Sequence, residues 1–326
     1  MAKLTIVVPH YREPWEICSF LFNSLDIQHG IDKSDFTVLV VNDGDYGALT
    51  REIIGERSYE VNVVTKPHAG LSEARNYGID HAETDYIMFC DCDDGFIHNY
   101  GLHLVFSAIE EGFDVMYSAF IEEAPVNGGW RIFRRDKNTV FVHGKAYRRQ
   151  FLLDNKLRFD PELYFCEDSY FNSIAFMLSE KTKYIETPIY LWAWNDVSTV
   201  RADRENICLK KYDQIILMRA KTCRELKRRG FTEKYHEAIC SAMADCYCDF
   251  QEPLFTKPGN RPLRERAEKE FKKFYREFSH DFMTCDSELI GKALLEARVR
   301  AYENGYRVEQ IDYKSWLKHI KNDISL

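Results

Sequence analysis

The sequence predicts an α/β domain, a mostly parallel central sheet flanked by helices, followed by a smaller all-helical domain. Short apolar runs alternate with stretches of helical spacing over residues 4–90, the pattern of a parallel sheet covered by helices. Those runs end in polar residues: Pro9-His10-Tyr11, Asn42-Asp43 and the Asp91 cluster. From residue 205 on, helical spacing takes over, broken at Gly230, Pro253, Pro258-Gly259 and Pro262.

In chain order, Leu4–Val8 is a strand ending at Pro9. Glu13–Leu25 carries Trp15, Ile17, Phe20, Leu21 and Leu25 at helical spacing. Phe36–Val41 is a second strand, stopping at Asn42-Asp43-Gly44-Asp45. Tyr46–Gly55 reads as a helix and Val61–Thr65 as a third strand. Gly70 leads into a helix over Leu71–Ala82, with Ser72 as candidate cap. Tyr86–Cys90 is the fourth strand. Its aromatic and branched residues suit burial on both faces. Ligands of open α/β sheets bind beyond the carboxyl ends of the strands, so three polar strand ends on one edge make a nucleotide-sized cleft.

The fourth strand runs into Asp91, Asp93 and Asp94. Asp91 and Asp93 are two apart and share a side of an extended strand. Crowded carboxylates repel unless a cation sits among them, and a hard ion with oxygen ligands, Mn²⁺ or Mg²⁺, is the natural occupant. An acidic turn closed by Asp94-Gly95 fits these residues equally well.

Composition sets the bounds. The 326 residues, 45% hydrophobic and 14% aromatic, suffice for one large domain and one smaller. No run reaches the roughly 18 apolar residues of a membrane span. The amino terminus is too short and strand-like for a signal peptide. A soluble, cytoplasmic protein without stable membrane insertion is expected, at most peripheral to a membrane. The 10 cysteines are scattered, as free thiols of a reducing compartment are; Cys240, Cys246 and Cys248 lack ordinary zinc spacing. The net charge of −8 is uneven: residues 1–200 hold 18 Lys and Arg against 31 Asp and Glu, and residues 201–326 hold 26 against 21. An acidic front half suits a metal site, and a mildly basic tail suits a solvated helical face first, or an acidic acceptor, a nucleic acid or an anionic membrane surface.

Five segments, in order, resemble family 2 glycosyltransferases. They are Ile6-Val7-Val8-Pro9-His10-Tyr11 with Val41-Asn42-Asp43-Gly44-Asp45; Gly70-Leu71-Ser72-Glu73-Ala74-Arg75-Asn76-Tyr77-Gly78; Phe89-Cys90-Asp91-Cys92-Asp93-Asp94; His143-Gly144-Lys145-Ala146-Tyr147-Arg148-Arg149; and Cys166-Glu167-Asp168-Ser169-Tyr170-Phe171-Asn172. The resemblance covers about the first 200 residues and implies a GT-A nucleotide-diphosphosugar fold. It implies that Pro9 and Tyr11 flank the nucleobase, that Asp43 accepts the N3–H of uracil, and that Arg75 approaches the nucleotide or donor sugar. Lys66 and His68 stand just before the Arg75 segment. Asn42 departs from the Asp common there. Asp93 would hold the metal, with Asp91 nearby on the donor; Asp168 would be the base, steadied by Glu167. One carboxylate base implies direct displacement with inversion. Ala193 stands where an arginine that touches the diphosphate is common, leaving Arg201, Asn195 or Ser198 to serve the donor; Trp192 and Trp194 suit a sugar-stacking wall or core packing.

The expected organisation is a catalytic domain over 1–204 and a helical domain over 205–326, serving acceptor recognition or homo-oligomer formation. Its helices are expected over 207–229, 233–250, 262–280, 286–304 and 312–322. The expected activity is metal-dependent transfer of a sugar from a nucleoside-diphosphate sugar, UDP first, to a hydroxyl of a glycan, polymer or other acceptor. A nucleotidyltransferase of related fold and a non-catalytic nucleotide-sugar binder are the alternatives. The first would more naturally carry a Gly-rich, basic loop after strand one, and the second would more naturally lack one of the carboxylate sets.

Overall fold

The computed structural model describes residues 2–126, 129–195, 210–308, 315–318 and 322. The chain divides into two compact units, Met1–Ser198 and Thr199–Leu326. The boundary expected at 204/205 falls in 196–209, outside the described residues, as do Ser198 and Arg201.

In the first unit, strands β1 (Leu4–His10), β2 (Phe36–Asp43), β3 (Glu60–Lys66) and β4 (Tyr86–Phe89) lie parallel in the order β3-β2-β1-β4. The four strands read from the sequence are these. Beyond β4 the sheet is mixed. β8 (Lys145–Arg148) joins β4 antiparallel, β6 (Val115–Val126) joins β8 antiparallel, and β9 (Thr182–Trp192) runs parallel to β6. β5 (Gly95–Phe96) closes the row against β9, and β7 (Gly129–Arg135) folds back on β6. Parallel neighbours need a crossover connection of a dozen or more residues. The link between β6 and β7, from Val126 to Gly129, is too short to carry one, so that pair is an antiparallel hairpin.

Two apolar layers sandwich the sheet. Leu4, Ile6 and Val8 of β1 pack on one side, with helices α1 (Trp15–Asp26) and α4 (Gly101–Glu111). Val7 packs on the other, with α3 (Leu71–His81), α5 (Arg149–Asp154) and α6 (Glu167–Leu178). That side change at each residue is the period of a strand buried on both faces. On α3, a Cβ at Gly78 would lie 2.4 Å from Val7 Cγ1, so this glycine sets how closely helix and sheet approach.

Two local expectations change. The helix expected over Tyr46–Gly55 is only α2 (Arg51–Ile54). Asn42 takes both backbone groups of Leu49, accepting its N–H at Oδ1 and donating from Nδ2 to its carbonyl, each at 2.9 Å. Helix formation waits until Thr50, whose hydroxyl accepts the Ile53 N–H. Ser72 does not cap α3. Gly70, at φ 97°, holds the N-cap position, and the Ser72 hydroxyl donates to the Asp160 carbonyl at 3.1 Å.

The second unit is helical among its described residues: α7 (Tyr212–Arg228), α8 (Thr232–Asp249), α9 (Pro253–Thr256), α10 (Arg261–Met283) and α11 (Ser287–Glu303). Its core is aromatic, with Tyr212, Phe250, Phe255, Phe271, Phe274 and Phe278 in ring contact. α11 lays Ala293, Ala297 and Ala301 against its neighbours, a small-residue stripe that permits close packing. The last helix expected, 312–322, falls mostly outside the described residues. Burial pushes the thiols of Cys246 and Cys248 up to about 12. No helix among the described residues is long and apolar enough to cross a membrane.

Candidate active site

The polar strand ends meet at one edge of the sheet. At the end of β1, His10 is buried, its Nδ1 donating to Asn42 Oδ1 at 2.8 Å and its Nε2 lying 2.9 Å from the Glu13 carbonyl. Both partners are acceptors, since the Asn42 amide nitrogen is spent on Leu49, so both ring nitrogens face oxygens that favour a proton on them. Burial lowers its basicity, but hydrogen bonds to Cys18 and to the Glu13 carbonyl outweigh it and raise the pKa. His10 ties the first two strand ends together.

Asp43, at the end of β2, is saturated. Oδ1 accepts from Lys66 Nζ at 2.6 Å and from the Ala69 N–H at 2.8 Å. Oδ2 accepts from the Gly70 N–H at 2.7 Å and faces His68 Nδ1 at 2.7 Å. Burial opposes its charge, but these donors hold the carboxyl below its ordinary pKa. Tyr11 is stacked on His68, with ring centroids 4.4 Å apart.

Arg75, on the first turns of α3, is 2% exposed. Its Nη2 donates to Asp91 Oδ1 and its Nη1 to Glu167 Oε1, both at 2.8 Å, and its guanidinium lies over the Phe159 ring. A buried cation between two carboxylates is compensated where a lone one is not. Burial works against it, yet Asp91, Glu167 and Asp168 raise its pKa further, and Arg75 in turn keeps Asp91 below its usual range despite burial.

The three aspartates after β4 have three environments. Asp91 is half-buried and paired to Arg75. Asp93 accepts from Asn195 Nδ2 at 3.0 Å, and its pKa is raised by burial and by the Asp91 charge. Asp94 is fully buried, accepting from Tyr190 Oη at 2.6 Å and from the Ala193 N–H at 3.0 Å. It begins no exposed turn; it anchors the cluster to β9. Asp91, Asp94 and His143 bring potential ligand atoms within 4.8 Å of one another.

α6 starts at Glu167 after Cys166, whose φ of 63° is left-handed. Asp168 follows, accepting the Ser169 N–H at 2.7 Å. Burial and the neighbouring Glu167 push its carboxyl up to about 7. Lys145 on β8 is also fully buried and donates to the Phe141 carbonyl. Burial brings its amine down to about 7, against the pull of Asp168.

Residues 5–168 match the profile of glycosyl transferase family 2. The chain belongs to this family. It is 27% identical over 215 residues to the uncharacterized glycosyltransferase EpsJ of Bacillus subtilis (strain 168), covering 59% of this chain and 61% of EpsJ. It is 26% identical over 211 residues to the poly(ribitol-phosphate) beta-N-acetylglucosaminyltransferase TarS of Staphylococcus aureus (strain Mu50), covering 59% of this chain and 36% of TarS. The match thus spans less than two thirds of either relative. The crystal structure of S. aureus TarS 1-349 in complex with UDP-GlcNAc superposes with a TM-score of 0.61 at 18% identity, covering 95% of each chain. The fold is the GT-A-like fold of these glycosyltransferases, with its mixed sheet and helical carboxyl-terminal region.

Of the residues singled out on this family's pattern, Arg75 touches both Asp91 and Glu167, and Asp168 follows Glu167 in the chain. Asp43 and Lys66 form an ion pair at the end of β2. Pro9 sits in β1 opposite Val41 of β2, and Tyr11 follows the strand. Trp192 lies against Phe141 and His143 in the aromatic packing, with ring centroids 5.2 and 4.8 Å away. Sequence reasoning missed the roles of His10, Asp94, Tyr190 and Lys145. Lys145 gave one usable signal, a lysine inside an otherwise buried strand motif, Gly144-Lys145-Ala146-Tyr147.

Proposed function

We propose that this chain is an inverting glycosyltransferase that uses a divalent cation, Mn²⁺ or Mg²⁺, to move a sugar from a UDP-sugar to an acceptor hydroxyl. One observation carries the reading: the buried Arg75 bridges Asp91, from the donor-side motif, to Glu167, next to the candidate base. Asp91 and Glu167, 76 positions apart along the chain, are thereby held on one side chain, which supports a shared reaction centre.

Asp168 is assigned as the base. Its pKa near 7 suits the task, because a general base works best when its pKa lies near the working pH. It takes the proton of the acceptor hydroxyl as that oxygen bonds to the anomeric carbon. The sugar–phosphate bond breaks on the opposite face, and the diphosphate leaves with the electron pair. Glu167 and Arg75 fix the orientation of α6 beside Asp91. Lys145 supplies positive charge near Asp168 when both groups are ionised.

Asp93 and Asp91 are assigned to the metal. Burial and the Asp91 charge leave Asp93 short of positive charge, and two carboxylates suit a hard cation. Asp94 is less suited, since its oxygens accept from Tyr190 and Ala193. The cation would stabilise the charge that develops on the leaving diphosphate. Pro9, Tyr11, Asp43 and Lys66 are assigned to the nucleoside end, and Ser198 to the donor on the family resemblance alone. The helical unit is assigned to acceptor recognition or self-association.

UDP-GlcNAc is the first donor to assay, because TarS is named an N-acetylglucosaminyltransferase and was solved with it. Donor hydrolysis and transfer are followed by UDP release for the wild type and Asp168→Asn. Turnover should fall about 10²–10⁴-fold with UDP affinity retained. Wild-type turnover in Asp168→Asn, with loss in Glu167→Gln, moves the base to Glu167.

A further inference from the structure

His68 makes with its own chain the two contacts that the reading above assigns to the nucleobase. Its ring is stacked on Tyr11, centroids 4.4 Å apart and planes 19° from parallel. Its Nδ1 lies 2.7 Å from Asp43 Oδ2 and 3.1 Å from the Asp43 carbonyl oxygen. Both neighbours are acceptors, so Nδ1 carries the proton. A flat ring that lies on Tyr11 and offers an N–H to Asp43 is what a uracil would present there.

The site has no spare capacity beside it. A carboxylate has about four lone-pair positions, and Asp43 fills them with Lys66, the Ala69 and Gly70 N–H groups and His68. The two backbone donors belong to the turn that starts α3, and the Lys66 side chain is only 15% exposed. His68, with a side chain 56% exposed, is the donor that can leave. Tyr11 is partly occupied as well. The Arg12 guanidinium lies 4.7 Å from its centroid and 5.1 Å from that of Tyr46, and Tyr11 remains 39% exposed. Displacing Arg12 would leave Asp43 filled; displacing His68 frees the Tyr11 stack and the Asp43 contact at once.

We propose that His68 is a surrogate base: it fills the nucleobase subsite of the unliganded chain, and the donor nucleotide binds by exchanging its base for this ring. The proposal rests on the assignment of Tyr11 and Asp43 to the base. Only the fraction of chains with His68 swung out binds nucleotide, so the apparent affinity is the intrinsic one reduced by that fraction. The exchange also selects among bases. Uracil brings a ring N–H that restores the donor Asp43 loses. Cytosine presents an unprotonated ring nitrogen there and leaves a buried acceptor unpaired, which is costly.

Calorimetric titration of UDP and CDP into the wild type, His68→Ala, His68→Phe and Tyr11→Ala tests this. His68 is at the surface, so the variants are expected to fold, and circular dichroism checks it. Removing the surrogate should tighten UDP binding about fivefold in His68→Ala, the effect of one stacked, hydrogen-bonded ring no longer competing. His68→Phe, which stacks but donates nothing, should fall between it and the wild type. Tyr11→Ala should weaken UDP binding. If His68→Ala binds UDP more weakly while Tyr11→Ala also weakens it, His68 is an ordinary contact of the bound nucleotide; the proposal falls and the assignment of the subsite stands. If neither variant changes UDP affinity, the subsite itself is misassigned and the proposal falls with it.

Discussion

Tyr190 donates its phenolic hydrogen to Asp94 Oδ2 at 2.6 Å, deep inside the protein. The same hydroxyl oxygen accepts the Asp91 N–H at 3.1 Å, so β9 holds both ends of the acidic cluster. Asp94 Oδ1 in turn accepts the Ala193 N–H, two residues before the Asn195 that reaches Asp93. Where an arginine side chain is common in the family, Ala193 contributes its backbone.

Asp94→Ala should therefore lose stability as well as turnover, whereas Asp93→Ala should lose turnover alone. Truncating Asp94 strands the buried Tyr190 hydroxyl, at about 1–3 kcal/mol for a buried group left unpaired, and releases the part-buried Ala193 N–H. Thermal unfolding with activity at saturating donor separates the two variants. An Asp94→Ala protein with wild-type melting temperature contradicts the anchoring role.

Metal dependence is predicted to run through Asp93. Mn²⁺ should raise the melting temperature of the wild type and strengthen UDP binding relative to EDTA, since a ligand of the folded state stabilises by RT ln(1+[L]/Kd). Asp93→Asn should lose most of both effects. Equal UDP affinity in Mn²⁺ and EDTA would remove the cation from the binding site.

The pH dependence follows from Asp168. Its folded-state pKa of about 7 lies above the roughly 3.9 of an unfolded aspartate. As a base it acts when ionised, so turnover should rise with pH and level off above about 7. For stability the sign is opposite. Between those two values the folded chain holds a proton that the unfolded chain has released, so this group's contribution falls as pH rises. Urea unfolding across that range should show a shallower fall in Asp168→Asn than in the wild type. Lys145 acts on the alkaline side. With a folded pKa of about 7 against about 10.4 unfolded, it makes stability rise with pH over that window, and Lys145→Met should flatten the rise.

Gly78→Ala tests the packing of α3 on β1. The added methyl would sit 2.4 Å from Val7 Cγ1, and overpacking of this kind costs typically about 1–3 kcal/mol. The melting temperature should fall, and the double variant with Val7→Ala should recover part of the loss. No loss in the single variant would mean that the helix shifts freely on the sheet.

The sequence by itself determined the parallel half of the sheet, helices α1 and α3 beside it, and the polar strand ends at its edge. These follow from local periodicity: β1, β2, β3 and β4 are apolar runs whose neighbours along the chain already say strand or helix. It also singled out Arg75, Asp91, Glu167 and Asp168, because motifs of adjacent residues survive as spacing. Tertiary structure alone decided what each of them touches. That Asp43 is saturated depends on residues 23 to 27 positions further along the chain. That Asp93 and Asp94 differ depends on Asn195, Tyr190 and Ala193, about a hundred positions away. The mixed half of the sheet was hidden for a similar reason. β6 and β9 pair across intervening strands and helices, and alternation of apolar residues says which face is buried without saying which strand lies alongside. Charge state is a property of the same kind. Nothing in the sequence marks Asp168 or Lys145 as shifted; burial, which only folding brings about, moves both toward neutrality, with Glu167 adding to the shift of Asp168 and Asp168 opposing that of Lys145.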